Sequence, residues 1–229
     1  MKSAYMATVI EIAIAALLVT GCGGGGDGGP QSDLTSYLPM AVGNNWSYDL
    51  RIRADLIVPT QAHPGWNVFV QTEEITGTAL LQGTSYFVFQ ITRLANATYP
   101  ELAYAPQYRR VDAQGVHARY PADPADFTLL QTPPQVGDTW ADGVFPNITY
   151  ETVAIGEQVT VPAGTFDCVK VEMFDPDALS GDGEYRFQRV DTWFAQGVGI
   201  VKDETWEQKI SSGQWELLSD IKLREYEIL

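Results

Sequence analysis

The chain has 229 residues, with 14 lysines and arginines against 29 aspartates and glutamates, which gives a formal net charge of −15. This acidic balance argues against nucleic acid as a partner and keeps the surface clear of anionic lipid headgroups. The two histidines, His63 and His117, are too few for a histidine-rich metal site. The length suits one substantial domain or two small ones.

The first element is a short apolar stretch over residues 12–19, which small residues and a cysteine follow. A membrane-spanning helix needs roughly twenty apolar residues, so the stretch is too short to span and predicts a processed signal sequence. The motif Val19-Thr20-Gly21-Cys22 resembles the lipobox of bacterial lipoproteins. An ordinary secreted or uncleaved start is the alternative.

The lipobox resemblance implies that Cys22 receives a diacylglycerol and then a fatty acyl group such as palmitate. Several acyl chains hold a protein on a bilayer more firmly than one chain does. Gly23 in place of aspartate implies the outer membrane if the source is Gram-negative. We therefore expect residues 1–21 to be a signal peptide and the glycine-rich residues 22–36 to be a tether to a domain over residues 37–229.

After the tether, the pattern predicts strands almost throughout. Apolar and polar residues alternate from Trp46 to Val58, as in a long strand with one solvent-exposed face. A strand then returns over residues 66–76 with Trp66, Val68 and Val70 on its apolar side. Further features are a turn at 63–65, a strand over 85–94, and hairpin turns at 112–115, 155–157 and 211–213.

The rest of the sequence predicts little helix. A short helix over residues 122–130 is an alternative that Pro124 and the pair Pro133-Pro134 limit. In the last strand, a bulge near Arg224 and Glu225 would restore a common apolar face. We predict a mainly β protein with a single antiparallel, strongly curved sheet, either a half-barrel or an open barrel or sandwich.

Two segments share the pattern Val-Gly-(Asn/Asp)-x-Trp, one over residues 39–46 and the other over residues 134–140. Glycine followed by asparagine or aspartate tolerates a tight turn, and the tryptophan after it can close the end of the sheet. The echo predicts two similar halves, 37–130 and 131–229. A recurring turn that packs a tryptophan explains it better than a ligand-stacking role.

The segments 37–48, 159–171 and 193–202 resemble a group of uncharacterised bacterial envelope and secreted lipoproteins. The resemblance implies one β-rich domain with a highly curved antiparallel sheet, similar to the half-barrel of periplasmic lipoprotein carriers. It carries over no catalytic residue. Cys168 in the second segment is interpreted as a small buried residue on a strand, with a reactive thiol or an intermolecular disulfide as the alternatives.

Acidic residues offer one candidate metal site. Asp175, Asp177, Asp182 and Glu184 lie within ten residues beside glycines, as oxygen-liganded calcium requires, although an ordinary acidic loop is the main alternative. No other cofactor is expected. Carboxylate pairs such as Glu73-Glu74 and Asp203-Glu204 are interpreted as solvated faces.

No nucleophile elbow or phosphate loop occurs in the sequence, so we expect no enzymatic activity. The favoured hypothesis is a lipoprotein that binds an apolar small molecule or an envelope protein and contacts the membrane through lipid at Cys22. A structural or assembly role and a carboxylate-dependent glycan hydrolase are the alternatives. Aromatic residues that could line a concave binding face are Trp66, Tyr86, Phe87, Phe89 and Tyr104.

Overall fold

The computed structural model describes residues 36–54, 65–120, 123, 125–179 and 185–229. Strands form almost all of the regular structure in these ranges. They are β1 Asn45–Arg53, β2 Trp66–Leu81, β3 Thr84–Arg93, β4 Leu102–Ala103, β5 Gln107–Asp112, β6 Gly115–Arg119, β7 Phe127–Gln131, β8 Thr139–Ala141, β9 Thr149–Val161, β10 Gly164–Leu179, β11 Tyr185–Ala195, β12 Gly199–Lys209 and β13 Trp215–Glu227. Within the same ranges, no helix is long and apolar enough to cross a bilayer.

All thirteen strands belong to one antiparallel sheet. Its order is β7-β6-β5-β3-β2-β1-β13-β12-β11-β10-β9-β8, and the short strand β4 pairs with β3. The chain therefore runs from the centre to one edge, crosses to the other edge, and returns to the centre at β13. The prediction of a mainly β protein with a single curved antiparallel sheet is confirmed.

The sheet curves until its two edge strands meet. The Trp140 indole on β8 donates a 2.8 Å hydrogen bond to the carbonyl of Thr128 on β7. A second contact crosses the interior, where the Ala163 amide donates to the Leu223 carbonyl at 3.0 Å. The described parts of β7 and β8 share no backbone ladder, so the sheet stays open along this seam.

The hydrophobic core fills one end of the space that the sheet surrounds. Its fully buried side chains include Trp46, Tyr48, Phe89 and Phe194. Leu38, just before β1, lies in the same core cluster, and the amide of Gly197 donates to the carbonyl of Ser36. The chain therefore enters the described domain at this packed end.

The two glycine turns of the sequence echo have the same backbone geometry. Gly43 and Gly137 have φ values of 98° and 91°, a region that residues with a Cβ rarely adopt. The Gly43 amide donates to the Ile75 carbonyl at 2.8 Å, and the Gly137 amide donates to the Thr152 carbonyl at 2.8 Å. The return bonds also match, because Ile75 and Thr152 donate to Asn44 and Asp138 at 2.9 Å.

Each turn is followed by a tryptophan that packs on an aromatic neighbour. Trp46 stacks on Phe89 with ring centroids 5.8 Å apart, and its indole donates to the Val198 carbonyl at 2.6 Å. Trp140 stacks on Tyr150 at 5.6 Å with the rings almost parallel. The recurring turn that packs a tryptophan is confirmed, whereas the division into two halves stays a prediction.

Several local predictions hold. Turns follow β5 at residues 113–114 and β12 at residues 210–214. The bulge falls at Arg224, because Ser47 pairs with Glu225 while Tyr48 pairs with Leu223. The predicted continuation of β1 to Val58 and most of the turn at 63–65 lie outside the described residues.

Two local predictions are wrong. Residues 155–157 form no hairpin but a bulge inside β9, since Ile155 pairs with Val169 and Glu157 with Cys168. Gly156 between them has a φ of 76°, which lets the strand absorb an extra residue. The proposed helix over 122–130 is instead β7 at its C-terminal end, where Leu130 pairs with Val116 and is completely buried.

Candidate ligand site on the inner face of the sheet

The inner face is identified by following paired residues from strand to strand, because directly opposite residues of a ladder point to the same side. One row begins at Phe69 and crosses seven strands. The row contains Phe69, Leu50, Ile221, Asp203, Thr192, Val171 and Thr152. Its ends are buried and its middle is half-buried, so solvent reaches the face near Asp203.

The neighbouring row, farther from the packed end, is open along its length. All six of its members on β2, β1, β13, β12, β11 and β10 are half-buried, and apolar and polar side chains are mixed among them. They are Asn67, Ile52, Ser219, Thr205, Val190 and Met173. We call these six residues the open inner row. The row therefore offers both apolar surface and hydrogen-bonding side chains to a bound molecule.

Asp203 is the polar centre of this region. The Thr192 hydroxyl donates a 2.8 Å hydrogen bond to its carboxylate. Burial raises the pKa of Asp203 to about 7 against the lowering effect of that hydrogen bond, and the charges of Asp191 and Glu73 raise it further. The Asp203 carboxyl is therefore substantially protonated near neutral pH and could donate as well as accept a hydrogen bond.

A buried ion pair lies deeper on the same face. Arg109 on β5 donates to Glu73 on β2 at 2.9 Å, and both side chains are about 6% exposed. The Arg109 guanidinium also stands 4.3 Å from the ring centre of Phe89, and it donates to Gln107 at 2.7 Å. These contacts join β2 to β5 across β3 and neutralise the charge of Glu73.

The sequence grouped Trp66, Val68 and Val70 on one side of β2 and suggested Trp66 for the concave face, but this side is the outer one. Trp66 and Val68 are 40% and 57% exposed, whereas Phe69 and Ile75 on the opposite face are 3% and 0% exposed. The interpretation of Glu73 as a solvated charge is wrong for the same reason, because Glu73 shares the buried face. The sequence feature that indicates the buried face is the two-residue spacing of Phe69, Gln71, Glu73 and Ile75, because every second residue of a strand points to the same side.

The five predicted ligand aromatics do not form one surface. Phe89 is fully buried in the core, and Phe87, two residues earlier on β3, is half-buried on the same inner face. Tyr86 points to the opposite side, where its hydroxyl donates to Asp126 at 2.6 Å. Trp66 lies on the outer face under the guanidinium of Arg51. Tyr104 is half-buried beyond β4, and burial raises its pKa.

The predicted calcium residues are only partly described. Asp175 and Asp177 lie within β10 rather than in a loop, and the Asn147 amide donates to Asp177 at 2.6 Å. Asp182 and Glu184 lie outside the described residues. Among the residues that the structure does describe, no group of three or more histidine, cysteine or acidic side chains could hold a metal ion. Calcium binding stays a prediction.

Cys168 is 1% exposed on β10, as predicted for a small core residue. Burial raises the pKa of its thiol to about 12, with Glu157 and Asp167 adding to the effect. A thiol with such a pKa is protonated at neutral pH and is a poor nucleophile. The interpretation of Cys168 as a buried structural residue is confirmed.

A second surface feature lies on the outer face. It is a shallow groove of about 610 Å³ over β1, β2 and β13, and none of the predicted aromatic residues lines it. Its walls are mixed, with polar side chains such as Asn45, Thr72 and Glu74 beside the apolar Val70 and Leu94.

Comparison with known proteins links one part of the chain to a sequence family and most of the chain to a solved fold. Residues 144–214 match a family model described as DUF3108-like. This match spans the region from just before β9 to the residue before β13. No curated protein matches the sequence.

A crystal structure from Bacteroides fragilis, described as an exported protein with a YmcC-like fold, matches over 81% of this chain and 96% of its own. The TM-score is 0.50 and the sequence identity 16%. The two proteins share this fold. A crystal structure from Parabacteroides distasonis, described as that of a lipoprotein, matches over 85% of this chain and 100% of its own, with a TM-score of 0.45 and 16% identity.

Proposed function

We propose that the chain is a cell-envelope lipoprotein, anchored through lipid at Cys22, that binds an apolar ligand on the inner face of its sheet without catalysing a reaction. The lipobox supports the anchor, and the glycine-rich segment after it supports a tether. A fold shared with an exported protein is consistent with an envelope location. Gly23, the residue after the lipidated cysteine, supports localisation to the outer membrane if the source is Gram-negative.

The open inner row is the observation that carries the binding proposal. Packed β proteins usually fill the space between their strands with side chains. Here the core occupies one end, whereas Ile52 and Val190 remain half-buried on the inner face outside the core cluster, and the half-buried Met173 packs against its edge. Half-buried apolar side chains on a concave surface favour a ligand that completes their burial, at about 25 cal/mol per Å² removed from water.

The glycan hydrolase alternative needs two accessible carboxylates facing each other across a cleft. The inward carboxylate that interacts with Asp203 is Glu73, and it is buried in its ion pair with Arg109. This pairing leaves Glu73 poorly placed to attack a sugar or to activate water. It favours binding over hydrolysis.

Native mass spectrometry of the lipidated protein released from envelopes tests the binding proposal. We expect a co-purifying apolar molecule in addition to the mass of the attached lipid. Thr205→Trp fills the open inner row and should remove that molecule, whereas Thr72→Trp in the outer groove should retain it. An unliganded protein, or a molecule that both variants keep, would contradict the proposal.

The anchor is tested separately. Cys22→Ala should move the protein from the membrane fraction to the soluble fraction, because it removes the sulfur that carries the lipid. Cys168→Ala is the matched control, since Cys168 is buried in the folded domain. Membrane retention of the Cys22→Ala protein would contradict the lipoprotein assignment.

A further inference from the structure

Arg93 on β3 differs from the other inner arginine in its partners. Arg109 is neutralised by Glu73, whereas Arg93 contacts no carboxylate in the described part of the chain. Its guanidinium instead stands 4.5 Å from the ring centre of Phe69 and 6.0 Å from that of Tyr99. The two rings pack against each other at 5.5 Å.

Arg93 lies two rows from the open inner row, and its guanidinium reaches back over Phe69, which belongs to the row between them. Arg93 pairs with Gln71, and Gln71 follows Asn67 and Phe69 at intervals of two residues on the inner face of β2. Asn67 belongs to the open inner row. The loop that holds Tyr99 is fixed by Asn96, whose side-chain oxygen accepts the amides of Thr98 and Tyr99 at 2.9 and 2.8 Å. Aromatic rings therefore hold the guanidinium in place without neutralising its charge.

Two donors on this part of the inner face lack acceptors. The Arg93 Nε and the Asn67 Nδ2 are buried atoms with no hydrogen-bond partner among the described residues. A buried donor without an acceptor is destabilising, and more so when the group is charged. An incoming oxygen atom with negative charge would satisfy both the charge and the donors.

The surrounding charges permit an anion. Glu73 is already paired with Arg109. Asp203, on the row that starts at Phe69, has a pKa of about 7 and so carries less than a full charge at neutral pH. Electrostatic repulsion between these two carboxyl groups and an anion bound at Arg93 is therefore reduced, although the chain as a whole is strongly acidic.

We propose that Arg93 and Asn67 bind the anionic head group, a carboxylate or phosphate, of an amphiphile whose apolar chain lies along the open inner row. The inference rests on the proposed ligand-binding function and specifies its ligand class. Arg93 supplies the charge and a planar set of donors, and Ile52, Val190 and Met173 supply the apolar surface. Phe69 and Tyr99 hold the guanidinium in the binding orientation.

Calorimetric titration of the full chain carrying Cys22→Ser tests this inference with dodecanoate, dodecanol and acetate at pH 7. We expect dodecanoate to bind at least about tenfold more tightly than dodecanol, because a hydrogen bond to a charged group contributes about 1.5–3 kcal/mol. Acetate should bind far more weakly than either. Tight binding of acetate would instead show a site for small free anions and would overturn the amphiphile.

The decisive variant is Arg93→Gln, which should reduce dodecanoate binding to the level of dodecanol and leave dodecanol binding unchanged. Arg93→Lys keeps a cation and should retain part of the preference. Arg224→Gln removes an arginine from the outer groove and should change nothing. A carboxylate preference that survives in folded Arg93→Gln protein would overturn the assignment of Arg93.

The two proposals fail differently. If dodecanoate and dodecanol bind equally well and Thr205→Trp blocks both, the head-group inference is wrong and the apolar site stands. If neither binds, the ligand-binding function itself is wrong.

Discussion

Arg109 and Glu73 form an ion pair that spans β3, with 2.9 Å between Nη1 and Oε2 and both side chains almost completely buried. Removing one partner leaves the other charge buried and unpaired, which costs about 3–5 kcal/mol in comparable cases. Glu73→Leu and Arg109→Met should each destabilise the domain by about this amount. Urea denaturation of both single variants measures the change.

The double variant Glu73→Leu/Arg109→Met is the control for this pair. Because it leaves no unpaired charge, it should cost less than the sum of the single changes by at least about 2 kcal/mol. Additive costs would show that the two side chains do not stabilise each other.

Asp203 should make the stability of the domain depend on pH. Its folded pKa of about 7 lies above the ordinary value of 3.8, so the native state holds the proton more tightly than the unfolded state does. The stabilisation from this proton is complete below about pH 4 and is lost as the pH rises through 7.

Asp203→Asn should therefore stabilise the protein at pH 8 and have little effect at pH 4. The half-buried carboxyl is partly screened by solvent, so we expect a gain of about 1–2 kcal/mol. Thermal unfolding at both pH values measures it. Glu74→Gln, which alters an exposed carboxylate, is the control; an equal gain from both variants at pH 8 would reflect net charge alone.

The repeated turn should be sensitive to a Cβ for conformational reasons. No neighbouring atom lies within 4 Å of a Cβ built at Gly137, whose φ is +91°. Gly137→Ala should cost about 1–2 kcal/mol, the strain of the left-handed region for an L-residue. Gly77→Ala is the matched control, since its Cβ also meets no atom within 4 Å and its φ is ordinary. Equal costs in urea denaturation would exclude backbone strain as the cause.

The seam between the edge strands should open when its indole donor is removed. Trp140→Phe loses the hydrogen bond to the Thr128 carbonyl and should cost about 1 kcal/mol. Amide hydrogen exchange should accelerate in β7 and β8 and stay unchanged in β11 and β12. Trp206→Phe is the control, because the Trp206 indole nitrogen has no acceptor within the described ranges. Faster exchange throughout the sheet would indicate global destabilisation.

Local patterns predicted those parts of the fold that depend on neighbouring residues. The switch of apolar positions between Leu223 and Tyr226 located the bulge at Arg224, because a strand must keep one face toward the core. The two Val-Gly-(Asn/Asp)-x-Trp segments located turns that need a left-handed glycine.

The candidate site could not be predicted in the same way, because it depends on residues that are distant in sequence. Glu73 is buried only because Arg109, 36 positions away, neutralises it. Trp66 and Val68 make the outer face of β2 look apolar, so the alternation pointed to the wrong side. Gly156 resembled a hairpin turn because a bulge and a turn need the same backbone conformation.

The location of Leu38 and Ser36 at the packed end identifies the end of the domain that the preceding chain joins. If the proposed tether from Cys22 holds the domain by this end, the open inner row lies at the end remote from the attachment point. A ligand would then enter and leave from the aqueous compartment beyond the domain rather than directly from the bilayer beneath it. This orientation of the domain favours exchange of the ligand with a soluble carrier or with an opposing membrane.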